Sequence, residues 1–575
     1  SAQNVYASAC SGTVTVQALK GGVPANVAPA LTVSLAGTSG VTFYSDENCT
    51  VSVLNITIAS GTNSNSFFFL DNSTGSVTLT ASALKYSSAT QSETLSTNPF
   101  VWTGGAGSGN TDVLTGANWS GGVAPNTSQT GIFDGTCGAN CNATISQNVG
   151  AVGVRTTSAY TGTITVNSGV STQLGDWGDG TAVSISGGTL DASAATYLNT
   201  AYTTVAIAGT GTIKAPSGSG TWDIYKIEML AGGGTLNAGT GTINITGNGW
   251  DSGITTASLI SVYNLNVGNG NSGSEEFLFY GTITVGGDLT INYTVTSNFV
   301  RAYGGTLRVV GNITQASGWF PDNGSTTSVA WVGSGSKTFT QASGSYFPFD
   351  FTINGSGTLN MGTSAAFINN FTYTAGTVVA ATTTSFMCPS YGTYTITTGS
   401  MAFTNVSFGD GTVSTGYPVQ CALSGTMTVS GNLILNDYNQ AGNSQIAGSG
   451  TINVAGNLQS TKWSDVNSAV TIALVGASAK TITQSSGATL PSGSLVLSGS
   501  GSVSLATAVT NYYASLSITA GTLYMAGFAL NIPSLSLSST TLHKKNSAGT
   551  GTAGVLKVNG STIANGSNFG GTIAN

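Results

Sequence analysis

The sequence predicts an all-β protein: an N-terminal β-sandwich followed by a long parallel β-helix. Three observations predict it. The first is a strand–turn–strand unit that returns roughly every 24 residues, the sequence form of a solenoid coil. Its copies are GTITVGGDL at Gly281–Leu289, GGTLRVVGNI at Gly304–Ile313, GTMTVSGNL at Gly425–Leu433 and GTINVAGNL at Gly450–Leu458. Apolar and polar residues alternate within each copy, the period of a half-buried strand. The second is a larger repeat. The segment from Gly281 aligns with that from Gly425 at an offset of 144, Trp319 with Trp463 at 144, KTFTQASG at Lys337 with KTITQSSG at Lys480 at 143, and AGTVV at Ala375 with AGTLY at Ala520 at 145. Residues 281–424 and 425–565 therefore read as two copies of one multi-coil block. The third is composition. Only 6% of residues are charged, against about 25% in ordinary globular chains. Yet 40% are hydrophobic, too many for disorder. With 81 Gly spread along the chain, long helices are hard to place.

Composition also limits function. Net charge is −7, and no basic cluster exceeds Lys544–Lys545, which disfavours nucleic-acid binding. No run of 18 apolar residues offers a membrane helix. The opening SAQN suits a mature secreted chain and equally an ordinary cloning boundary. Six cysteines fit an oxidising compartment and allow 15 connectivities. Local spacing favours Cys10–Cys49, Cys137–Cys141 and Cys388–Cys421, with buried free thiols as the alternative.

Residues 1–97 carry strand-like runs at Thr13–Ala18, Ala30–Leu35, Val51–Ile58, Ser66–Leu70 and Ser76–Ala81, separated by turn signals, the pattern of a sandwich. The stretch ACSGTVTVQALKGGVPANVAPALTVSLAGTSGVTFYSDENC, continued by ITIASGTNSNSFFFLDNSTGSVTLTASA, resembles a bacterial immunoglobulin-like domain of large surface proteins. The resemblance implies a spacer or adhesive module without catalysis, its strands tied by Cys10 and Cys49.

Residues 98–135 form a junction and a cap for the β-helix. Trp102, Asn118-Trp119, Gly122, Pro125 and Phe133 resemble the opening found before β-helical regions of autotransporter-like proteins. An open solenoid end needs bulky cover, which Trp102, Trp119 and Phe133 supply; exposed Trp serving as a carbohydrate platform is the competing reading. Residues 136–575 are the solenoid. They resemble right-handed β-helical passenger and filamentous-haemagglutinin-like repeats. About 440 residues at 24 per coil give roughly 18 coils and, at ~4.8 Å each, a rod of roughly 85–90 Å.

Residues able to carry chemistry are sparse. The single histidine, His543, reads as an exposed turn residue, and no nucleophile motif has partners. Glu275 and Glu276 are adjacent, so on a strand they face opposite ways and cannot form the facing pair that glycoside hydrolysis needs. Asp176 and Asp179 in GDWGDG suit a turn, with a shared calcium ion as the weaker option. Trp319 and Trp463 suit core packing or, less readily, sugar stacking. Sequons at Asn48, Asn118 and Asn312 arise easily by chance in so Ser/Thr-rich a chain.

The functional expectation is a non-enzymatic structural subunit of an extracellular bacterial surface fibre. Alternatives are a monomeric adhesin for glycans or host surfaces, a surface-layer protein, and a β-helical polysaccharide-degrading enzyme. Self-association is expected through the tail. GSTIAN at Gly560–Asn565 is echoed by GGTIAN at Gly570–Asn575, and Gly560, Ile563, Phe569, Ile573 and Asn575 would either lie on their own rod or pair with the next subunit.

Overall fold

The computed structural model describes the chain except at residues 1–3, 8–9, 39, 47–48, 50, 97, 177–181, 230–232, 247–251, 258, 269–274, 293–299, 318–325, 390–393, 410–417, 438–443, 466 and 511–514. The protein is all-β, 52% strand and 1% helix. Its parallel β-solenoid has about 16 turns, fewer than a uniform coil length predicts. Some turns are longer than others: the step from Val154 to its partner Val183 exceeds that from Thr282 to its partner Thr306. The chain forms two compact units, Ser1–Leu265 and Asn266–Asn575.

The first unit begins with two small sheets. One is mixed and five-stranded, in the order Asn4–Tyr6, Ala89–Ser96, Gly75–Ser82, Leu31–Gly37 and Asn55–Ile58. The other joins Val14–Gln17, Ser64–Leu70 and Thr42–Tyr44. Alternation sends Val33, Leu35, Val77 and Leu79 of the first sheet and Val14, Phe43, Phe67 and Phe69 of the second into one shared core. Arg155, on the first solenoid turns, interacts with Tyr44 and Asp46 of this region. Burial pushes its pKa down to about 10 against the opposing pull of those two groups.

The solenoid of this unit stacks short strands in parallel. One column runs Ala143–Ile164–Leu190–Ile213–Leu236 across five strands, all buried. Gly-Thr turns set the strand starts. Gly188 has φ +62°, and a Cβ there would sit 2.5 Å from the Gly162 carbonyl oxygen, so the corner admits only glycine.

In the second unit the same construction runs in regular register. Thr282, Thr306, Ser328 and Asp350 stand side by side on successive strands. So do Thr426, Thr451, Thr471 and Ser494. Position for position, the two rows keep the offset of the sequence repeat to within one residue. Lys337 pairs with Leu359 and Lys480 with Val503 in the matching places; Trp319, the partner expected for Trp463, lies outside the described residues. Side-chain ladders repeat too. Asp288 accepts the Asn312 backbone N–H at 2.8 Å, and Asn312 accepts that of Thr338 at 3.0 Å. Asn432 accepts from Asn457 at 2.9 Å and Asn457 from Thr481 at 2.8 Å. Such ladders satisfy backbone donors at corners where the sheet ends.

Replacing Asn432 with Ala is expected to cost about 1–2 kcal/mol by stranding a donor. The Asn457 amide should exchange faster with deuterium, while the Asn312 amide, on the other ladder, serves as an unchanged control. Equal protection of Asn457 in the variant would refute the ladder's role.

A column of phenylalanines fills the middle of this unit. Phe339, Phe347, Phe351, Phe367, Phe371, Phe386, Phe403 and Phe408 are all buried, with neighbouring ring centroids 5.0–6.2 Å apart.

Candidate assembly surface

Bulky side chains close the first solenoid turn. Phe100 and Trp102 lay a short strand on Thr130–Phe133: Ile132 donates its N–H to Phe100 O and Trp102 donates to Ile132 O, both at 2.8 Å. Trp102, Trp119, Phe133 and Tyr160 pack with centroids 5.2–5.6 Å apart. Their polar atoms find partners: Trp102 Nε1 donates to Asn140 O at 3.2 Å and Trp119 Nε1 to Val113 O at 2.7 Å. The Tyr160 hydroxyl donates to Cys141 O at 2.6 Å. Trp102 is 0% and Trp119 3% exposed, which corrects the carbohydrate-platform reading: an indole inside the core cannot stack on a sugar. Trp463 is likewise fully buried, its Nε1 donating to Asp465 at 3.2 Å. Asn118 is buried as well, donating to Asn110 O and Asp112 O at 3.0 Å. Its sequon is therefore a structural anchor inaccessible in the folded chain.

The C-terminal end of the second unit is arranged differently. The tail lies on its own chain. Thr572–Ala574 adds a parallel strand to Thr541–His543, burying Ile573. Leu556–Val558 and Ser561–Thr562 form a small antiparallel hairpin, which places Gly560 at its turn with φ +77°. The segment between folds back over the last strand: Gly566 N–H donates to Ile573 O at 2.8 Å, and Asn565 Nδ2 to Asn575 Oδ1 at 2.6 Å. Lys544, one of the two adjacent lysines, is buried and donates to Ile563 O. His543 is half-buried and belongs to a strand, not to an exposed turn; its ring stacks on Tyr524 at 5.0 Å.

One edge here is less covered. Ser534–Leu537 ends a seven-stranded parallel sheet. Its Leu537 N–H donates to Phe569 O at 2.7 Å, but among the described residues no strand pairs with its outer side. The inward position Leu535 is only half-buried, whereas its predecessors Leu495 and Leu516 are buried. Sequence reasoning missed this edge, because SLSL there looks like SLSI one turn earlier.

The cysteines pair as Cys10–Cys49, Cys137–Cys141 and Cys388–Cys421. Asp176 is half-buried, while Asp179 and Asn48 lie outside the described residues. Glu275 and Glu276 are consecutive on the strand Glu275–Tyr280, paired with Val300 and Arg301. Asn312 holds its place in the ladder above. Among the described residues, no three His, Cys, Asp or Glu side chains group to hold a metal, and no helix is long and apolar enough to cross a membrane.

The fold defines the class as an all-β chain built on a parallel β-solenoid. No known protein-family model, curated protein or solved structure matches it.

Proposed function

We propose that this chain is a structural subunit of an extracellular bacterial surface fibre, with an Ig-like sandwich at its N-terminus, and that its copies join head to tail. One observation carries the reading: the outer edge of Ser534–Leu537, which no described strand pairs. Unpaired parallel edges template further strands unless blunted by charge or proline. Neither a charge nor a proline lies within Ser534–Leu537, the nearest proline being Pro533 just before it. A contact between this edge and the opposite end of another copy is heterologous, so it propagates unless its rotation closes a ring. The low charge of the whole chain leaves little repulsion to oppose it. Three disulfides support an extracellular setting. The tail contributes as a clasp, since it already pairs with its own chain.

Ser536→Lys tests this. It places a charge at an exposed position of the open edge strand and leaves the inward Leu535 and Leu537 in place. Sedimentation velocity of the wild-type chain should show polymers that grow with concentration, and the variant should stay monomeric with the same circular dichroism. A wild type that remains monomeric at about 100 μM, well above the micromolar range of transient contacts, would sink the proposal. So would a variant that assembles like the wild type.

A further inference from the structure

A second surface feature lies in the first unit. The strand Tyr197–Ile207 is 11 residues long, and its pairing with Thr221–Met229 breaks between Thr200 and Thr204. Such a bulge re-aims side chains that a regular strand would alternate. Here it projects Tyr202, which is 50% exposed. The bulge is built, not loose. Asn199 Oδ1 accepts the Ala201 N–H at 2.9 Å, and the buried Trp222 donates its Nε1 to Thr200 Oγ1 at 3.0 Å.

Beside the bulge, register sets Gln173, Asn199, Asp223 and Asn244 in one row across four parallel strands. All four are half-buried on the outer face. Asp223 is gripped from both sides: the Tyr197 hydroxyl donates to Oδ2 at 2.6 Å and Asn244 Nδ2 to Oδ1 at 2.6 Å. This differs from the corner ladders of the second unit, where carboxylate and amide oxygens hold backbone N–H groups. Here side chains orient a carboxylate whose oxygens each retain a lone pair. Burial foremost, then the Asp223 bond and charge, then nearby Tyr202, raise the Tyr197 pKa, keeping that hydroxyl a donor.

We propose that Tyr202, Tyr197, Asp223 and Asn244 form a binding site for a neutral oligosaccharide. The exposed Tyr202 ring offers an electron-rich face to the C–H face of a pyranose. The fixed Asp223 carboxylate accepts sugar hydroxyls in charge-assisted bonds, and its charge disfavours acidic sugars. The row of amides extends the polar strip along the stacking direction, at ~4.8 Å per strand, so successive sugar units meet successive turns.

Saturation-transfer NMR on the full chain tests this with maltohexaose, cellohexaose and chitohexaose, and with an oligogalacturonate of the same length. At least one neutral hexaose should bind at millimolar affinity or tighter, and the galacturonate more weakly. Tyr202→Ala and Asp223→Asn should each weaken that binding about tenfold or more, a difference of about 1.4 kcal/mol. Tyr263→Ala, at a tyrosine of similar exposure elsewhere in the unit, should bind as the wild type. Circular dichroism must show all variants folded. No transfer to any neutral hexaose at about 5 mM, where even millimolar binding is visible, overturns the site. So does unaltered binding by Tyr202→Ala and Asp223→Asn, or tighter binding of the galacturonate. None of these outcomes depends on whether the chain polymerises.

Discussion

Phe367→Ala is expected to destabilise the second unit by about 3–5 kcal/mol, the range for emptying a buried aromatic site. The Phe367 ring touches those of Phe339, Phe347, Phe351, Phe371 and Phe386, so its loss removes contacts on neighbouring turns together. The strands carrying these rings are hydrogen-bonded to their neighbours, which leaves little room for the cavity to collapse. In a stacked repeat the damage should appear first as a local opening. Hydrogen exchange should accelerate in Ser364–Phe367 and Thr383–Phe386, which pair directly, before the whole unit unfolds in urea. Phe367→Leu, which refills most of the space, should cost much less. An alanine variant with wild-type protection on those two strands would show that the column is not a stability element.

Removing the Cys388–Cys421 disulfide by a double Ala substitution should cost about 4 kcal/mol. That is the loop-closure value for a sequence separation of 33. Both residues are buried, and the bond closes next to a backbone contact, with Gln420 N–H donating to Cys388 O at 2.7 Å. The same reckoning for Cys137–Cys141, with a sequence separation of 4, gives only about 2 kcal/mol. Urea unfolding of the two double variants should rank them in that order. The reverse order would show that native packing, not the entropy of the unfolded chain, sets what each bond contributes.

These features were legible in the sequence to different degrees. The strands around Gly281, Gly304, Gly425 and Gly450 were legible because inward and outward positions alternate and each turn carries its Gly-Thr start. The cysteine pairs followed local spacing. The tail was not legible. Thr562-Ile563-Ala564 and Thr572-Ile573-Ala574 are the same tripeptide, yet the first begins in an antiparallel hairpin and the second forms a parallel strand. The difference lies in what each meets: Leu556–Val558 in one case, the edge of Thr541–His543 in the other. The Tyr197–Asp223–Asn244 grip was equally hidden, since it joins residues on three different turns. The bulge that presents Tyr202 had no marker beyond a strand longer than its neighbours. His543 was misplaced because a polar run, HKKN, reads as a turn, whereas stacking on Tyr524 and burial of Lys544 keep it in the sheet.

The uneven spacing along the ladders has a consequence for how such a chain can change length. The step from Thr282 to Thr306 is longer than that from Thr306 to Ser328. The step from Thr426 to Thr451 exceeds that from Thr451 to Thr471 by a wider margin still. The paired strands stay in step through all of these, so the corners absorb every difference. Each strand reads its position from the strand beneath it and not from a count of residues. Insertions and deletions of a few residues are therefore neutral at corners and ruinous within strands, where a shift of one residue turns the buried row outward. Excision or addition of an entire turn leaves each remaining strand with a neighbour of the same kind. The gene can thus lengthen or shorten its product stepwise, by ~4.8 Å a turn, without first inventing a new core.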